Sequence, residues 1–144
     1  MIWLLRHGDA EDGSPDAQRP LTDKGRAQAN TAGSALAALG VELEACLTSP
    51  RLRAADTASL ACEPLGVEPQ VDERLSGGDF DPEELAAGID GHLLLVGHEP
   101  DFSEAIARLT GGRVHMKKGG LAAVDSGVLR VLLRPAELRA IAHG

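Results

Sequence analysis

His92-Leu93-Leu94-Leu95-Val96-Gly97-His98-Glu99-Pro100 is a nearly continuous apolar run that breaks at once into a glycine, a histidine and a helix start. Such a run, with no polar residue between His92 and Gly97, suits a strand at the centre of a parallel sheet, covered on both faces. A helix is expected to follow from about Pro100 to Leu109. Toward the N-terminus, Ile2 to Leu5 is a second short buried strand, Ala45 to Thr48 a third, and a brief strand lies near Glu68 to Val71. The polar segment from Gly8 to Pro20 must be a loop. Thr22 then caps a helix whose apolar face carries Ala32, Ala35, Leu36 and Leu39, and Gly40 stops it in the left-handed conformation. Ser49-Pro50 supplies a cap and a first-turn proline for a helix running to about Glu63, before Pro64 and Gly66. A Gly- and Asp-rich stretch, Ser76 to Asp81, precedes a short helix over Pro82 to Ala87. Gly120 to Val124 and Val128 to Leu133, joined by Asp125-Ser126-Gly127, read as an antiparallel pair, and Pro135 to Ala142 as a terminal helix. The expected fold is α/β. Residues 1–144 form a single three-layer domain, a mostly parallel central sheet flanked by helices, with a C-terminal antiparallel strand pair.

Composition narrows the functional classes. Aromatics are only 2% of the 144 residues and there is no Tyr, so the core must rest on Leu, Val, Ile and Ala. Platforms for stacking single-stranded bases are absent as well. Fourteen basic against 22 acidic residues give a charge of −8, which repels nucleic acid and anionic lipid on average, although a local basic pocket can still sit within it. No apolar run reaches the length of a membrane span, and the start Met1-Ile2-Trp3-Leu4-Leu5-Arg6 lacks the pattern of a signal peptide. Cys46 and Cys62 form no CxxC pair and are expected to be reduced thiols, so a cytoplasmic location is expected.

Three segments share one plan, in which a strand ends, reactive side chains appear, and a helix or loop follows. They are Leu4-Leu5-Arg6-His7-Gly8, Leu47-Thr48-Ser49-Pro50-Arg51-Leu52-Arg53-Ala54 and Leu95-Val96-Gly97-His98-Glu99-Pro100. In open α/β sheets the ligand crevice lies beyond the carboxyl ends of the strands, so all three deliver their polar residues to one edge. Arginines and two histidines gathered there make a positive, donor-rich pocket, for which a phosphoryl group is the natural occupant. The helix starting at Ser49-Pro50 would add its dipole. A histidine beside arginine has its protonated form disfavoured, which leaves a neutral, nucleophilic imidazole near neutral pH.

These residues resemble the histidine phosphatase superfamily, which includes the phosphoglycerate mutases and acid phosphatases, and most of all its short branch, the SixA-type phosphohistidine phosphatases. Arg6-His7-Gly8-Asp9-Ala10 resembles the opening motif, and Arg19-Pro20-Leu21-Thr22 with Gly25 the second block. Ser49 to Ala58 resembles the helix bearing the second phosphate-binding arginine, and Val96-Gly97-His98-Glu99-Pro100 the block with the second histidine. The resemblance implies that His7 is the nucleophile, transiently phosphorylated, and that Arg6, Arg53 and His98 form the phosphate pocket. It selects Arg53 because that residue precedes Ala54 and stands four before Thr57, as an RAxxT pattern requires. It leaves Asp9, Arg19, Ser49 and Arg51 as substrate-binding or supporting residues. It implies two-step covalent catalysis with no metal and no cofactor.

The proton donor to the leaving group is open, the candidates being Glu73, Asp79 and Asp9, with Arg74-Leu75 where the short branch resembles a Glu-Leu pair. So thin a set of acids mildly favours phosphohistidine on a protein, whose leaving nitrogen is basic, over a small phosphorylated metabolite. A phosphoryl relay or a phosphate-binding protein on the same scaffold are the alternatives. A metal site from His7, Asp9, His92, His98 or His115 lacks ligand spacing and would place a cation beside Arg6. His92 is expected to be structural. Val114-His115-Met116-Lys117-Lys118 reads as a solvated basic turn, with a place at the pocket rim as the other possibility.

Overall fold

The sheet is built around the apolar run His92–Gly97. The computed structural model describes residues 1–144. Its strands are β1 (Ile2–Arg6), β2 (Leu43–Thr48), β3 (Pro69–Val71), β4 (His92–Gly97), β5 (Leu121–Asp125) and β6 (Val128–Leu133). Their order across the sheet is β3-β2-β4-β1-β5-β6. β4 lies between β2 and β1, parallel to both, and β3 extends the parallel part beyond β2. β5 runs antiparallel to β1, and β6 antiparallel to β5.

Alternation along the strands sorts side chains to two faces, as the period of two requires. Trp3, Leu5, Leu94, Val96, Leu121 and Ala123 face one core, and Leu4, Leu93, Leu95, Ala122 and Val124 the other. The first core is covered by α1 (Asp23–Ala38), α2 (Leu52–Cys62) and α5 (Pro135–His143). The second lies beneath α3 (Pro82–Leu85) and α4 (Asp101–Thr110). Leu and Ala supply most of the buried hydrophobic residues, with Trp3 and Phe102 among them. Small side chains let α1 and α2 approach closely: a Cβ on Gly33 would fall 2.1 Å from the Ala61 carbonyl oxygen.

Several boundaries move. Thr22 caps α1 as expected, its hydroxyl accepting from the Gly25 N–H at 3.0 Å, and Gly40 takes φ +75°. β2 begins at Leu43, ahead of the Ala45 start, through an irregularity in its pairing with β4. α2 begins at Leu52 rather than Ser49. Ser49 stays with the sheet, its N–H donating to Val96 O at 3.0 Å, and its hydroxyl is bonded to His98. His92 is structural as expected, since its Nδ1 accepts from the Trp3 indole N–H at 2.9 Å. Cys46 and Cys62, distant in sequence, meet in the first core as free thiols. Their mutual hydrogen bond, with burial, raises the Cys46 pKa. No helix is long and apolar enough to cross a membrane.

Candidate active site

Parallel register brings the three segments together. Arg6 lies opposite Gly97, and Thr48 opposite Val96. The ladder continues one residue past each strand, with the His7 N–H on Gly97 O and the Ser49 N–H on Val96 O, both at 3.0 Å. His7, Ser49 and His98 therefore emerge side by side at one sheet edge. The loop before β5 closes over β1 from the other side, the Gly119 N–H donating to Arg6 O and His7 O.

His7 is held in one tautomer. Its Nδ1 lies 2.7 Å from the Gly8 carbonyl oxygen, which only accepts, so Nδ1 carries the proton. The Nε2 lone pair is left free. Gly8 is fixed in turn by its own N–H, which donates to Thr57 Oγ1 at 3.1 Å, while that hydroxyl donates to Arg53 O at 2.7 Å. One buried threonine thus couples the histidine turn to the helix carrying Arg53. Close approach adds to the rigidity: a Cβ on Gly25 would stand 1.9 Å from Asp9 O, so only glycine lets α1 lie against the turn.

His98 faces His7, with ring centroids 5.3 Å apart, and its Nε2 is 2.8 Å from Ser49 Oγ. His7, Arg53 and His98 are each 7% exposed. Burial is the largest cause pulling His7 down to about 4, with Arg53, Arg6 and Lys118 adding to it and the Gly8 bond opposing. The arginine effect expected from the sequence is thus real but secondary. Burial likewise leads the fall of His98 to about 3, with His7 and Arg53 contributing next. Both imidazoles are neutral at neutral pH.

A cavity of about 420 Å³ opens onto these groups with no hydrophobic residue in its lining. Five cations reach it, Arg6, Arg19, Arg51, Arg53 and Lys118, against the carboxyls of Glu99 and Asp101. The Nε groups of Arg6 and Arg53 are buried without a hydrogen-bond partner. Unsatisfied buried donors are costly, and oxygens of a bound anion are suited to complete them.

The family model for the histidine phosphatase superfamily, branch 1, matches residues 2–87. The chain belongs to that superfamily. An uncharacterized protein of Picosynechococcus sp. is 40% identical over 144 residues, covering 90% of this chain and 87% of its own. The mitochondrial serine/threonine-protein phosphatase Pgam5 of Drosophila ananassae is 40% identical over 60 residues, 41% of this chain and 21% of that protein. The chain thus spans about a fifth of that relative. The protein histidine phosphatase SixA, solved in complex with tungstate, superposes with a TM-score of 0.81 at 26% identity over 95% of this chain and 98% of its own.

In this histidine phosphatase chain the remaining residues named from sequence divide into three groups. Arg19 and Arg51 line the cavity, and both meet Asp16 of the first loop, Arg19 Nη1 at 3.1 Å and Arg51 through Nη1. Arg53 joins them, donating to Asp16 O at 2.9 Å and to Oδ2 at 3.2 Å, so a single carboxylate arranges three guanidinium groups. Ser49 is fully buried and acts on His98 rather than lining the cavity. Asp9 lies outside the lining, its carboxylate accepting from the Thr22 hydroxyl at 2.9 Å and lying 3.4 Å from Lys118 Nζ. The Thr22 bond is the main cause holding its pKa below the usual carboxylate value.

None of the three acids named from sequence lines this cavity, and Asp79 is paired instead with Arg108 at 3.5 Å. Asp101 was missed. It is the first residue of α4, three positions after His98, and burial raises its carboxyl pKa while the Gly78 backbone opposes. An acid in the first turn of a helix reads as a partner of the dipole, which masks any other use. Glu99 is occupied, accepting from the Ser103 N–H at 2.7 Å and the Met116 N–H at 3.2 Å. Lys118 reaches the rim as one reading of the basic turn had it, whereas His115 does not. No three His, Cys, Asp or Glu side chains converge to hold a metal ion.

Proposed function

We propose that the chain hydrolyses phosphoryl groups through a phosphohistidine intermediate on His7. The observation that carries this reading is the Nδ1 bond to Gly8 O, which leaves a neutral Nε2 as the nucleophile over the cavity. The Nε2 lone pair attacks phosphorus in line, the bond to the leaving group breaks, and the leaving atom takes a proton from Asp101. Water then attacks phospho-His7 and gives its proton to the Asp101 carboxylate. Inorganic phosphate departs and His7 returns to its neutral form. Arg6, Arg53 and His98 hold the equatorial oxygens, and Arg19 and Arg51 extend the positive field. Five cations at the cavity make a divalent metal ion an unfavourable occupant, and guanidinium charge takes its place.

The substrate we favour is phosphohistidine on a protein, in line with the likeness to SixA and the open, polar cavity. Asp101 removes one argument for it. With an acid in the cavity, a phosphomonoester leaving group is served as well, which makes a small phosphorylated metabolite the second reading. Single turnover with a ³²P-labelled phosphoramidate followed by alkaline quench should trap acid-labile label on His7, and His7→Ala should abolish both label and turnover while keeping the fold. Near-normal turnover by His7→Ala would sink the assignment of the nucleophile. Stable phospho-His7 without phosphate release would make the chain a relay.

A further inference from the structure

Nine of the fourteen lysines and arginines of this acidic chain line two adjoining cavities. The second, of about 640 Å³, lies beside the phosphoryl pocket and shares Arg6 and Lys118 with it. Lys24, Lys117, Arg134 and Arg139 complete its positive lining, against a single carboxylate, Asp9. Arg134 is neutralised by Glu137 at 2.8 Å and Lys118 by Asp9 at 3.4 Å. Lys24, Lys117 and Arg139 pair with no carboxylate. The first turns of α1 and α5 border the recess, adding the positive ends of two helices.

We infer that this recess docks carboxylates of the phosphorylated protein beside its phosphohistidine. The inference rests on the phosphoprotein reading of the preceding section. Small-molecule sites are largely apolar and enclose most of their ligand. Here only Pro135 and Ala136 lack a polar side chain, and Lys24, Lys117 and Arg139 stand exposed. Solvated cations of this kind steer and align a charged partner rather than engulf a ligand. No aromatic side chain lines the recess, so it offers nothing on which a nucleic-acid base would stack. Because Arg6 and Lys118 border both cavities, a partner with its phosphoryl group at His7 places its neighbouring acids against Lys24, Lys117 and Arg139.

The test compares two phosphohistidine peptides, one flanked by glutamates and one by alanines, with phosphoramidate as a small substrate. The wild-type protein should favour the acidic peptide by about tenfold in kcat/KM, chiefly through KM, and lose the preference at high salt. A Lys24→Glu, Lys117→Glu, Arg139→Glu variant should lose the preference while keeping phosphoramidate turnover. Equal use of both peptides by the wild type would overturn the docking, as would a preference that survives in the variant. An equal fall on phosphoramidate would also overturn it, by showing that these cations serve the transfer pocket. Turnover of phosphoramidate with neither peptide accepted would remove the phosphoprotein reading and the docking together, while leaving a phosphatase. Inhibition by tripolyphosphate that the variant abolishes, with no peptide preference in the wild type, would assign the recess to a small polyanion.

Discussion

Replacing His7 by glutamine should flatten the pH dependence of stability between about pH 7 and about pH 5. In the folded chain burial leads the depression of His7 from 6.5 to about 4, and in the unfolded chain it titrates near its ordinary value. Between those two values the unfolded state binds more protons than the folded one. The stability contributed by the neutral, buried imidazole is therefore present above pH 6.5 and is lost as the pH falls toward 4. Integrating the proton difference for this one group gives a loss of about 2 kcal/mol from about pH 7 to about pH 5. His98, taken to about 3, adds a similar loss, so the wild type should weaken by about 4 kcal/mol and His7→Gln by about 2 kcal/mol. Asp9, Asp16, Asp72 and Glu137 all have lowered pKa values and titrate below this window when folded. Asp101, raised by burial, works in the opposite sense. Urea unfolding followed by circular dichroism across this range reads the slope, provided the denaturant dependence is unchanged. Parallel slopes for wild type and variant would refute the buried neutral histidine. The same cause places the acid limb of kcat/KM well below pH 6.5.

Other outcomes follow from the geometry. Arg53, with a side chain 8% exposed against 35% for Arg51, should matter more for anion binding. Vanadate inhibition should weaken about 100-fold in Arg53→Ala and about tenfold or less in Arg51→Ala, and equal effects would undo the distinction. Thr57→Val keeps the shape but strands the buried Gly8 N–H, so unfolding should show a loss of about 1–3 kcal/mol together with a lower kcat. Asp101→Asn should reduce phosphomonoester turnover about 100-fold and phosphoramidate turnover far less, as comparison of the two substrates would show. A uniform loss would make Asp101 a positioning residue.

Much of the fold was legible because its signals are local. The apolar run from Leu93 to Val96 suits a doubly covered strand, and the Thr22 cap and Gly40 stop depend on neighbours a few residues away. The convergence of His7, Arg53 and His98 was legible too, since strand ends in a parallel sheet point to one edge. What escaped was set by contacts between residues distant in the chain. Ser49 looked like a helix cap until its hydroxyl met His98, 49 positions away, and α2 accordingly starts at Leu52. Asp16 was an ordinary loop acid until folding brought Arg19, Arg51 and Arg53 around it. Asp101 lines the pocket where none of the acids named from sequence does, because folding carries the first turn of α4 to the cavity, a placement no single sequence displays. The sequence by itself therefore determined the strands, the edge and the arginine and histidine side chains gathered there. Tertiary structure alone decided which tautomer His7 holds, which acid reaches the pocket, and where the unpaired lysines gather, because each depends on solvent exclusion and on partners brought together only by folding.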